Sequence, residues 1–221
     1  MLSYKETLAL VSKYKLPYAR EIYCKSAKEA LGRGVHELKF PLVLKAVAAL
    51  ATHKTDKGLV RTNIHDSIDL RREMAKLNSI LAAEKLVPDG FLLQEQVKGV
   101  EFIIGSKADS SFGQVLVFGL GGVFVELIKQ RAVRVLPISR DELRKMVHET
   151  QASRFFDGYR GFKVSEEKLL SLLEKAAQMA LKEKPEELDF NPVIANEAGA
   201  LVVDARIVSR TQKQKSRGKS K

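Results

Sequence analysis

The chain has 221 residues, of which 45% are hydrophobic, so it is long enough to bury one substantial core or two smaller ones. No segment approaches the roughly 20 unbroken apolar residues of a membrane-spanning helix, and Lys5 and Glu6 interrupt the first ten residues, unlike a secretory signal. The single cysteine, Cys24, excludes an intrachain disulfide and a cysteine cluster for a metal. We therefore expect a soluble, cytoplasmic protein that does not contact a membrane.

The net charge of +11 points at first to nucleic acid, because lysine and arginine side chains supply most of the non-specific affinity for DNA and RNA. Much of this charge lies in residues 210–221, RTQKQKSRGKSK, with six cations and no acidic or apolar residue. Such a composition is typical of a disordered tail. The remaining 32 basic and 27 acidic residues suit a domain that binds an anionic nucleotide. We expect no specific nucleic-acid partner.

The first half of the chain combines helical and strand patterns. Helices are predicted at residues 2–14, from Ser26 to Gly32 or Gly34, and after Asp66, whose helix has the apolar stripe Leu70, Met74, Leu77 and Leu81. Strands are predicted at residues 40–47, an apolar run interrupted by Lys45, and at residues 59–64.

The second half is dominated by predicted hairpins. They pair residues 91–97 with 100–106, residues 115–118 with 123–125 through the glycine-rich turn 119–122, and residues 188–195 with 200–208. Two helices are predicted between the second and third hairpins, starting at Ser139 and at Ser165. Helices mixed with hairpin-connected strands indicate an α+β architecture with two sheet-based lobes.

The last hairpin allows its register to be worked out. If Ala195 and Ala200 flank a four-residue loop, antiparallel pairing places Asn191 opposite Asp204, with Asp189 and Glu187 further along the same face. Opposed side chains lie about 5 Å apart, so two oxygens can converge on one Mg²⁺ ion. A solvent-facing polar pair explains the same spacing. Pro192 indicates that this strand lies at an edge or is irregular there.

Two further features in the first half carry possible chemistry. Lys45 interrupts an apolar strand, and because an unpaired ammonium is costly to bury, it should meet either a nucleotide phosphate or a core carboxylate. The loop of residues 53–58, His-Lys-Thr-Asp-Lys-Gly, gathers groups able to contact a phosphoryl group. Imidazole can accept a phosphoryl group near neutral pH, although a lone loop histidine such as His53 also fits a purely solvated role.

Several motifs appear together in a specific order. They are VLKAV with Lys45, the loop from His53 to Gly58, EFIIG from Glu101, Asp109 with Phe112 and Gly113, FGLGGVFVEL from Phe118, GYRG from Gly158, and ELDFNPV from Glu187. In this order they resemble the beta subunits of archaeal ADP-forming acetyl-CoA synthetases, members of the NDP-forming acyl-CoA synthetase superfamily. The resemblance covers nearly the whole chain except the basic tail.

The resemblance implies an ATP-grasp fold whose two lobes enclose the nucleotide, with lobes at residues 1–92 and 93–209 and the tail at 210–221. It implies that Lys45, with Lys54 and Gly58 of the loop, contacts phosphates, and that Glu101 contacts the ribose. The strand with Glu95, Gln96 and Val97 would present its backbone to adenine. Asn191 and Asp204 would hold Mg²⁺, His53 would be the phosphohistidine, and Arg134 would help to neutralise the transferred phosphoryl group.

The implied reaction is acyl-CoA + ADP + phosphate ⇌ carboxylic acid + ATP + CoA. Because the chain has no evident CoA-binding domain, the resemblance implies a CoA-binding alpha subunit as partner, in the family's usual assembly of two copies of each subunit. The chain departs from the family pattern at Leu59, Gln114 and near Gln130, which concerns substrate range and turnover more than fold. Two alternatives are an ATP-grasp carboxylate–amine ligase without a phosphohistidine, and a basic nucleic-acid-binding protein.

Overall fold

The computed structural model describes residues 1–47, 58–122 and 131–210. The chain divides into two compact units, a smaller one formed by Ala19–Val97 and a larger one formed by Met1–Tyr18 and the residues from Lys98 onward. The expected lobes, residues 1–92 and 93–209, differ from these units mainly at the N-terminus. The first residues group with the C-terminal part because the Leu2 N–H donates to the Ile207 carbonyl at 2.8 Å and the Val202 N–H donates to the Pro17 carbonyl at 2.9 Å.

The smaller unit contains a sheet with two helices. Its elements are β1 (Glu21–Cys24), α2 (Ala27–Glu37), β2 (Leu42–Val47), β3 (Val60–Ile64), α3 (Ser67–Ala83) and β4 (Gly90–Glu95). The strands form an antiparallel sheet in the order β1-β4-β2-β3. Side chains from the helices and one face of the sheet share a core that includes Leu44, Leu70 and Leu93.

The larger unit contains a sheet packed against helices. Its elements are α1 (Tyr4–Lys13), β5 (Val100–Asp109), β6 (Gly113–Leu120), β7 (Arg131–Val135), α4 (Arg140–His148), a 3-10 helix (Gln151–Phe155), α5 (Glu166–Glu183), β8 (Glu187–Ala195), β9 (Ala200–Val202) and β10 (Ala205–Val208). The described strands have the order β10-β8-β5-β6-β7, and β9 also pairs with β8. Phe102, Phe118 and Phe190 are fully buried in the core of this unit.

Helix starts follow the capping residues in the sequence. The side chain of each N-cap residue accepts a backbone hydrogen bond from the first turn of its helix. These residues are Ser3, Ser26, Asp66, Ser139 and Ser165. The helix after Ser26 continues to Glu37, past the predicted ends at Gly32 and Gly34, because Gly34 lies against Leu93 and Leu70 in the core.

In the part of the chain that the structure describes, no helix is long and apolar enough to cross a membrane.

Two of the three predicted hairpins are wrong in their pairing. The strands β4 and β5 belong to different sheets, so Lys98 and Gly99 connect the two units instead of turning a hairpin. In the second case, β6 continues through Gly119 to Leu120 and pairs with β5 and β7. The predicted partner strand, residues 123–125, lies outside the described residues. The third hairpin is confirmed.

Candidate nucleotide and metal site

The predicted opposition of Asn191 and Asp204 is confirmed by the pairs on both sides of it. Val193 pairs with Val202 in β9, and Phe190 pairs with Ala205 in β10. Between them, the Asn191 N–H donates to the Asp204 carbonyl oxygen at 3.1 Å.

The strands are interrupted at this point, as Pro192 indicates. Pro192 has no N–H, and its carbonyl instead accepts the N–H groups of Val203 at 3.0 Å and Asp204 at 3.4 Å. The strand β8 is nevertheless not an edge strand, because β5 and β10 flank it.

Asp189 lies two residues before Asn191 on the same face of β8. Its carboxyl is half-buried, and burial raises its pKa above the ordinary value. The nearby charges of Asp204 and Glu187 raise the pKa further, whereas Arg206 and Arg131 oppose the shift. Arg206 also lies 4.0 Å from an Asp204 carboxylate oxygen. This face therefore gathers acidic groups together with counter-charges, the environment expected around a bound cation and its anionic ligand.

The chemistry of these donors fits Mg²⁺ better than a metal that needs a full protein cage. No group of three or more His, Cys, Asp or Glu side chains suitable for a metal occurs among the described residues. Mg²⁺ commonly binds through one or two protein oxygens and completes its coordination with water and substrate phosphate. One amide oxygen at Asn191 and one carboxylate at Asp204 supply that kind of partial site.

Lys45 lies in β2, opposite Leu92 of β4, with its side chain on the face of the sheet away from the core residues Leu44 and Leu93. Its ammonium donates a hydrogen bond to the Gln94 Oε1 atom at 2.9 Å. One partner of the Lys45 ammonium is therefore a neutral amide, and Lys45 also has a further interaction.

The segment of Glu95, Gln96 and Val97 is held by its own side chains. The Glu95 carboxylate accepts the Lys39 N–H at 3.0 Å, and the Gln96 side chain exchanges two hydrogen bonds with Asn63 at 2.7 and 2.9 Å. The backbone N–H groups of Glu95 and Gln96 also donate within the smaller unit, to carbonyls at 2.9 Å. Within the described residues, the Val97 N–H makes no hydrogen bond. Val97 is therefore the member of this segment with a backbone donor available to a ligand.

Glu101 lies against the glycine pair at the end of β6. The Gly121 N–H donates to the Glu101 carbonyl at 2.7 Å, and a Cβ atom at Gly122 would lie 2.7 Å from the Glu101 Oε2 atom. Gly122 also has a φ of +66°, which favours glycine. Although Glu101 is an exposed residue, desolvation of its carboxylate raises the pKa of Glu101. The glycines therefore leave the space that this carboxylate occupies.

The structure does not bring Arg134 together with the predicted metal pair. Arg134 pairs with Leu116, a core residue, so its side chain lies on the helix-covered face of the sheet. There its guanidinium contacts Glu149 at 2.5 Å and Glu142 at 3.6 Å. Arg131, three residues earlier, lies on the face that carries Asp189. Arg131 is not among the site residues inferred from the sequence. The face of the sheet on which a strand residue lies depends on how that strand pairs with its neighbours.

His53 and Lys54 lie outside the described residues, as does Gln130. Gly58, the last residue of the loop, has a φ of +66°, so its backbone conformation favours glycine. The next residue, Leu59, is fully buried in the core of the smaller unit. The departure at Leu59 therefore contributes apolar packing to this core.

The sequence matches the family described as an ATP-grasp domain over residues 1–208. It is 34% identical to the beta subunit of acetate–CoA ligase (ADP-forming) II from Pyrococcus furiosus, over 92% of this chain and 89% of that subunit. The chain belongs to this ATP-grasp family. It is also 37% identical to acetate–CoA ligase (ADP-forming) II from Archaeoglobus fulgidus, but it spans only 30% of that longer protein.

Two solved structures resemble this chain over most of its length. An acetyl-coenzyme A synthetase from Ca. Korarchaeum cryptofilum, in complex with coenzyme A and Ca-AMPCP, superposes with a TM-score of 0.85 at 35% identity, over 93% of this chain and 92% of that chain. A second structure of that enzyme, with coenzyme A and Mg-AMPPCP, has its phosphohistidine segment pointing towards the nucleotide-binding site; its TM-score is 0.78 at 34% identity, over 95% of this chain and 92% of that chain. The ATP-grasp fold and its α+β class, both expected from the sequence, are confirmed.

Proposed function

We propose that this chain is the nucleotide-binding, phosphoryl-transferring part of an ADP-forming acyl-CoA ligase, with acetyl-CoA as the type substrate. The similarity to a beta subunit over 89% of that subunit's length carries the proposal. The opposed Asn191 and Asp204 support it independently, because strand pairing alone places these two oxygen-bearing side chains opposite each other.

In this proposal, the residues of the smaller unit hold the nucleotide. Lys45 binds phosphate oxygens, and the Val97 N–H donates a hydrogen bond to adenine, with Glu95 and Gln96 fixing that segment through their own contacts. In the larger unit, Glu101 binds the ribose. Lys54 and Gly58 flank the phosphoryl group that is transferred.

Asn191 and Asp204 would hold Mg²⁺, which supplies charge neutralisation for the nucleotide phosphates when it is bound. Asp189 remains close to this pair as a half-buried carboxyl with a raised pKa. The cations near it in the same sheet are Arg206 and Arg131, and Arg134 lies on the other face, so we assign to Arg131, together with Arg206, the role of offsetting negative charge on this face.

His53 is the proposed phosphoryl carrier. In one direction, an imidazole nitrogen attacks the γ-phosphorus of ATP, an N–P bond forms, the bond to the β-γ bridging oxygen breaks, and ADP leaves. The reverse step regenerates ATP from ADP and phosphohistidine. The phosphohistidine would exchange its phosphoryl group with a CoA-binding alpha partner, in an assembly with two copies of each subunit, where the acyl phosphate and thioester chemistry takes place.

The test uses the half-reaction that this chain should perform alone. With Mg²⁺, ATP and labelled ADP, the chain should exchange label between the two nucleotides, because phosphoryl transfer to His53 is reversible. His53→Ala should abolish the exchange, whereas His36→Ala, which changes an exposed histidine of α2, should leave it unchanged.

The same experiment separates the proposal from a carboxylate–amine ligase. Incubation with ATP labelled at the γ-phosphate should give a protein-bound phosphate that is acid-labile and base-stable, as phosphohistidine is. Neither nucleotide exchange nor this label is expected of an ATP-grasp enzyme that forms only an acyl phosphate. Their absence in the unaltered chain would overturn the proposal.

A further inference from the structure

Three polar side chains of the smaller unit lie on one face of its sheet. Glu21 of β1 is directly opposite Gln94 of β4, and Lys45 of β2 is opposite Leu92, two residues before Gln94. Because strand side chains alternate, Glu21, Gln94 and Lys45 share the face away from the core residues Leu44 and Leu93. They come from three neighbouring strands and are far apart in the sequence.

Gln94 links the two charged residues through both ends of its amide. Its Oε1 atom accepts a hydrogen bond from the Lys45 ammonium at 2.9 Å, and its Nε2 atom donates to the Glu21 carboxylate at 2.7 Å. The Gln94 residue is fully buried. A buried glutamine in a strand is costly unless its polar atoms are paired, and here both ends have charged partners.

The two charges fix the orientation of this amide. A 180° flip would place the NH₂ group against the Lys45 ammonium and the carbonyl oxygen against the Glu21 carboxylate, with both hydrogen bonds lost. Glu21 therefore favours the orientation in which Gln94 presents an oxygen, and not a donor, to Lys45. That oxygen restricts a long side chain whose free rotamers carry about 2 kcal/mol of conformational entropy.

We propose that Gln94 and Glu21 are positioning residues that hold the Lys45 ammonium ready for nucleotide phosphate, an inference that rests on the proposed function of Lys45. In this proposal Glu21 acts through the amide of Gln94. Preorganisation of this kind lowers the cost of ordering a side chain when a ligand binds. Glu21 and Gln94 thereby contribute to nucleotide affinity by positioning Lys45.

The direction in which ADP affinity changes when Glu21 is substituted distinguishes a positioning role from simple electrostatics. Removing a negative charge near an anion site should by itself tighten the binding of an anion. If Glu21 acts by orienting Gln94, Glu21→Gln should instead weaken the binding, because the amide then loses the charge that fixes its polarity. Weaker ADP binding after loss of an acidic residue is therefore a signature of the positioning role.

The experiment measures ADP affinity in the presence of Mg²⁺ by titration calorimetry, using the whole chain. We expect Gln94→Leu to weaken ADP binding about tenfold and Glu21→Gln about threefold. In a Lys45→Met background, neither second change should weaken it further, because the side chain being positioned is gone.

The matched control is Gln114→Leu in the larger unit. Gln114 is also a buried glutamine with two side-chain hydrogen bonds, from Ser106 at 3.0 Å and to the Pro185 carbonyl at 2.7 Å. Gln114→Leu should lower the stability of the folded protein about as much as Gln94→Leu does and leave the ADP affinity unchanged. If Gln94→Leu does not fold, the near-isosteric Glu21→Gln carries the test alone.

Additive effects of Gln94→Leu and Lys45→Met would overturn the positioning role, as would an unchanged or tighter ADP affinity in Glu21→Gln. An unchanged ADP affinity in Lys45→Met alone would instead overturn the proposed phosphate contact of Lys45 itself, and with it the inference. The single Lys45 variant therefore distinguishes the two failures.

Discussion

Asn191 and Asp204 lie directly opposite each other where β8 is irregular, with the Asn191 N–H donating to the Asp204 carbonyl at 3.1 Å. Their side chains belong to the sheet face that also carries Asp189. The backbone fixes this opposition, so both side chains extend from the same point of the sheet. The irregular strands thus place a pair of oxygen donors at a defined position.

The first prediction concerns Mg²⁺ dependence. In Asp204→Ala, we expect ADP to bind with the same affinity in the presence and absence of Mg²⁺, because the carboxylate that holds the ion is missing. Titration calorimetry with and without Mg²⁺ measures this difference. Asp141→Ala is the control, since Asp141 is an 87% exposed side chain on α4. If Mg²⁺ still tightens ADP binding in Asp204→Ala, the metal assignment is wrong.

The register of this pair was predictable because it depends only on the loop length and the two-residue alternation of strands. Both strands of the hairpin lose regular pairing at the same point, at Pro192 and at Val203. The number of residues from the loop to this point is therefore the same on each strand, and the register is preserved. Local sequence information is sufficient in such a case.

The face of Arg134 and the partner of β4 were not predictable in the same way. Both depend on strands that are distant in the sequence: β6 places Arg134 on the helix side, and β1 and β2 take β4 into the smaller sheet. The amide link from Glu21 to Lys45 likewise needs three strands to be in place. The pairing of strands that are distant in the sequence depends on how the whole core packs, and a short sequence pattern does not carry that information.

The second prediction uses two glycines that share a backbone conformation. Gly122 and Gly113 have φ values of +66° and +80°, so alanine is strained at both. A new Cβ would lie 2.7 Å from the Glu101 carboxylate at Gly122, but would meet nothing within 4 Å at Gly113. We expect Gly122→Ala to displace Glu101 and raise the KM for ADP in nucleotide exchange.

Gly113→Ala should cost similar stability, about 1 kcal/mol, without changing that KM. Thermal unfolding and exchange kinetics on both variants separate the two effects. Equal KM values for the two variants would contradict the ribose role proposed for Glu101.

The third prediction is a pH dependence of stability. The Glu73 carboxylate accepts hydrogen bonds from Lys76 at 2.8 Å and Arg61 at 2.6 Å, which lower the pKa of Glu73 to about 2. A pKa lowered by folding stabilises the folded state above the unfolded pKa, and this contribution is lost as the pH falls towards about 2. We expect Glu73→Gln to reduce the free energy of unfolding by about 1 to 3 kcal/mol at pH 7.

The deficit of Glu73→Gln should shrink as the pH falls from about 4.5 to about 2, because protonation then removes the same charge from the unaltered protein. Urea unfolding at a series of pH values measures it. Asp157→Asn, at an exposed loop position, serves as the control. A deficit that stays constant across this range would show that the ion pairs contribute little.

The fourth prediction contrasts Arg134 with Arg131, two arginines of β7 on opposite faces of the sheet. Arg134→Met removes contacts to Glu149 and Glu142 on the helix side and should lower stability by about 1 kcal/mol, with nucleotide exchange unchanged in the folded protein. Arg131→Met removes a positive charge near Asp189, so it should raise the Asp189 pKa further and slow exchange.

Thermal unfolding and the pH profile of the exchange rate distinguish the two arginines. Loss of Arg131 should move the acidic limb of the profile to higher pH, because Asp189 then releases its proton less readily. Arg134→Met should leave the acidic limb of the profile at the same pH while lowering the melting temperature. The reverse pattern, with Arg134→Met shifting the profile and Arg131→Met only destabilising the fold, would restore the role first inferred for Arg134 from the sequence.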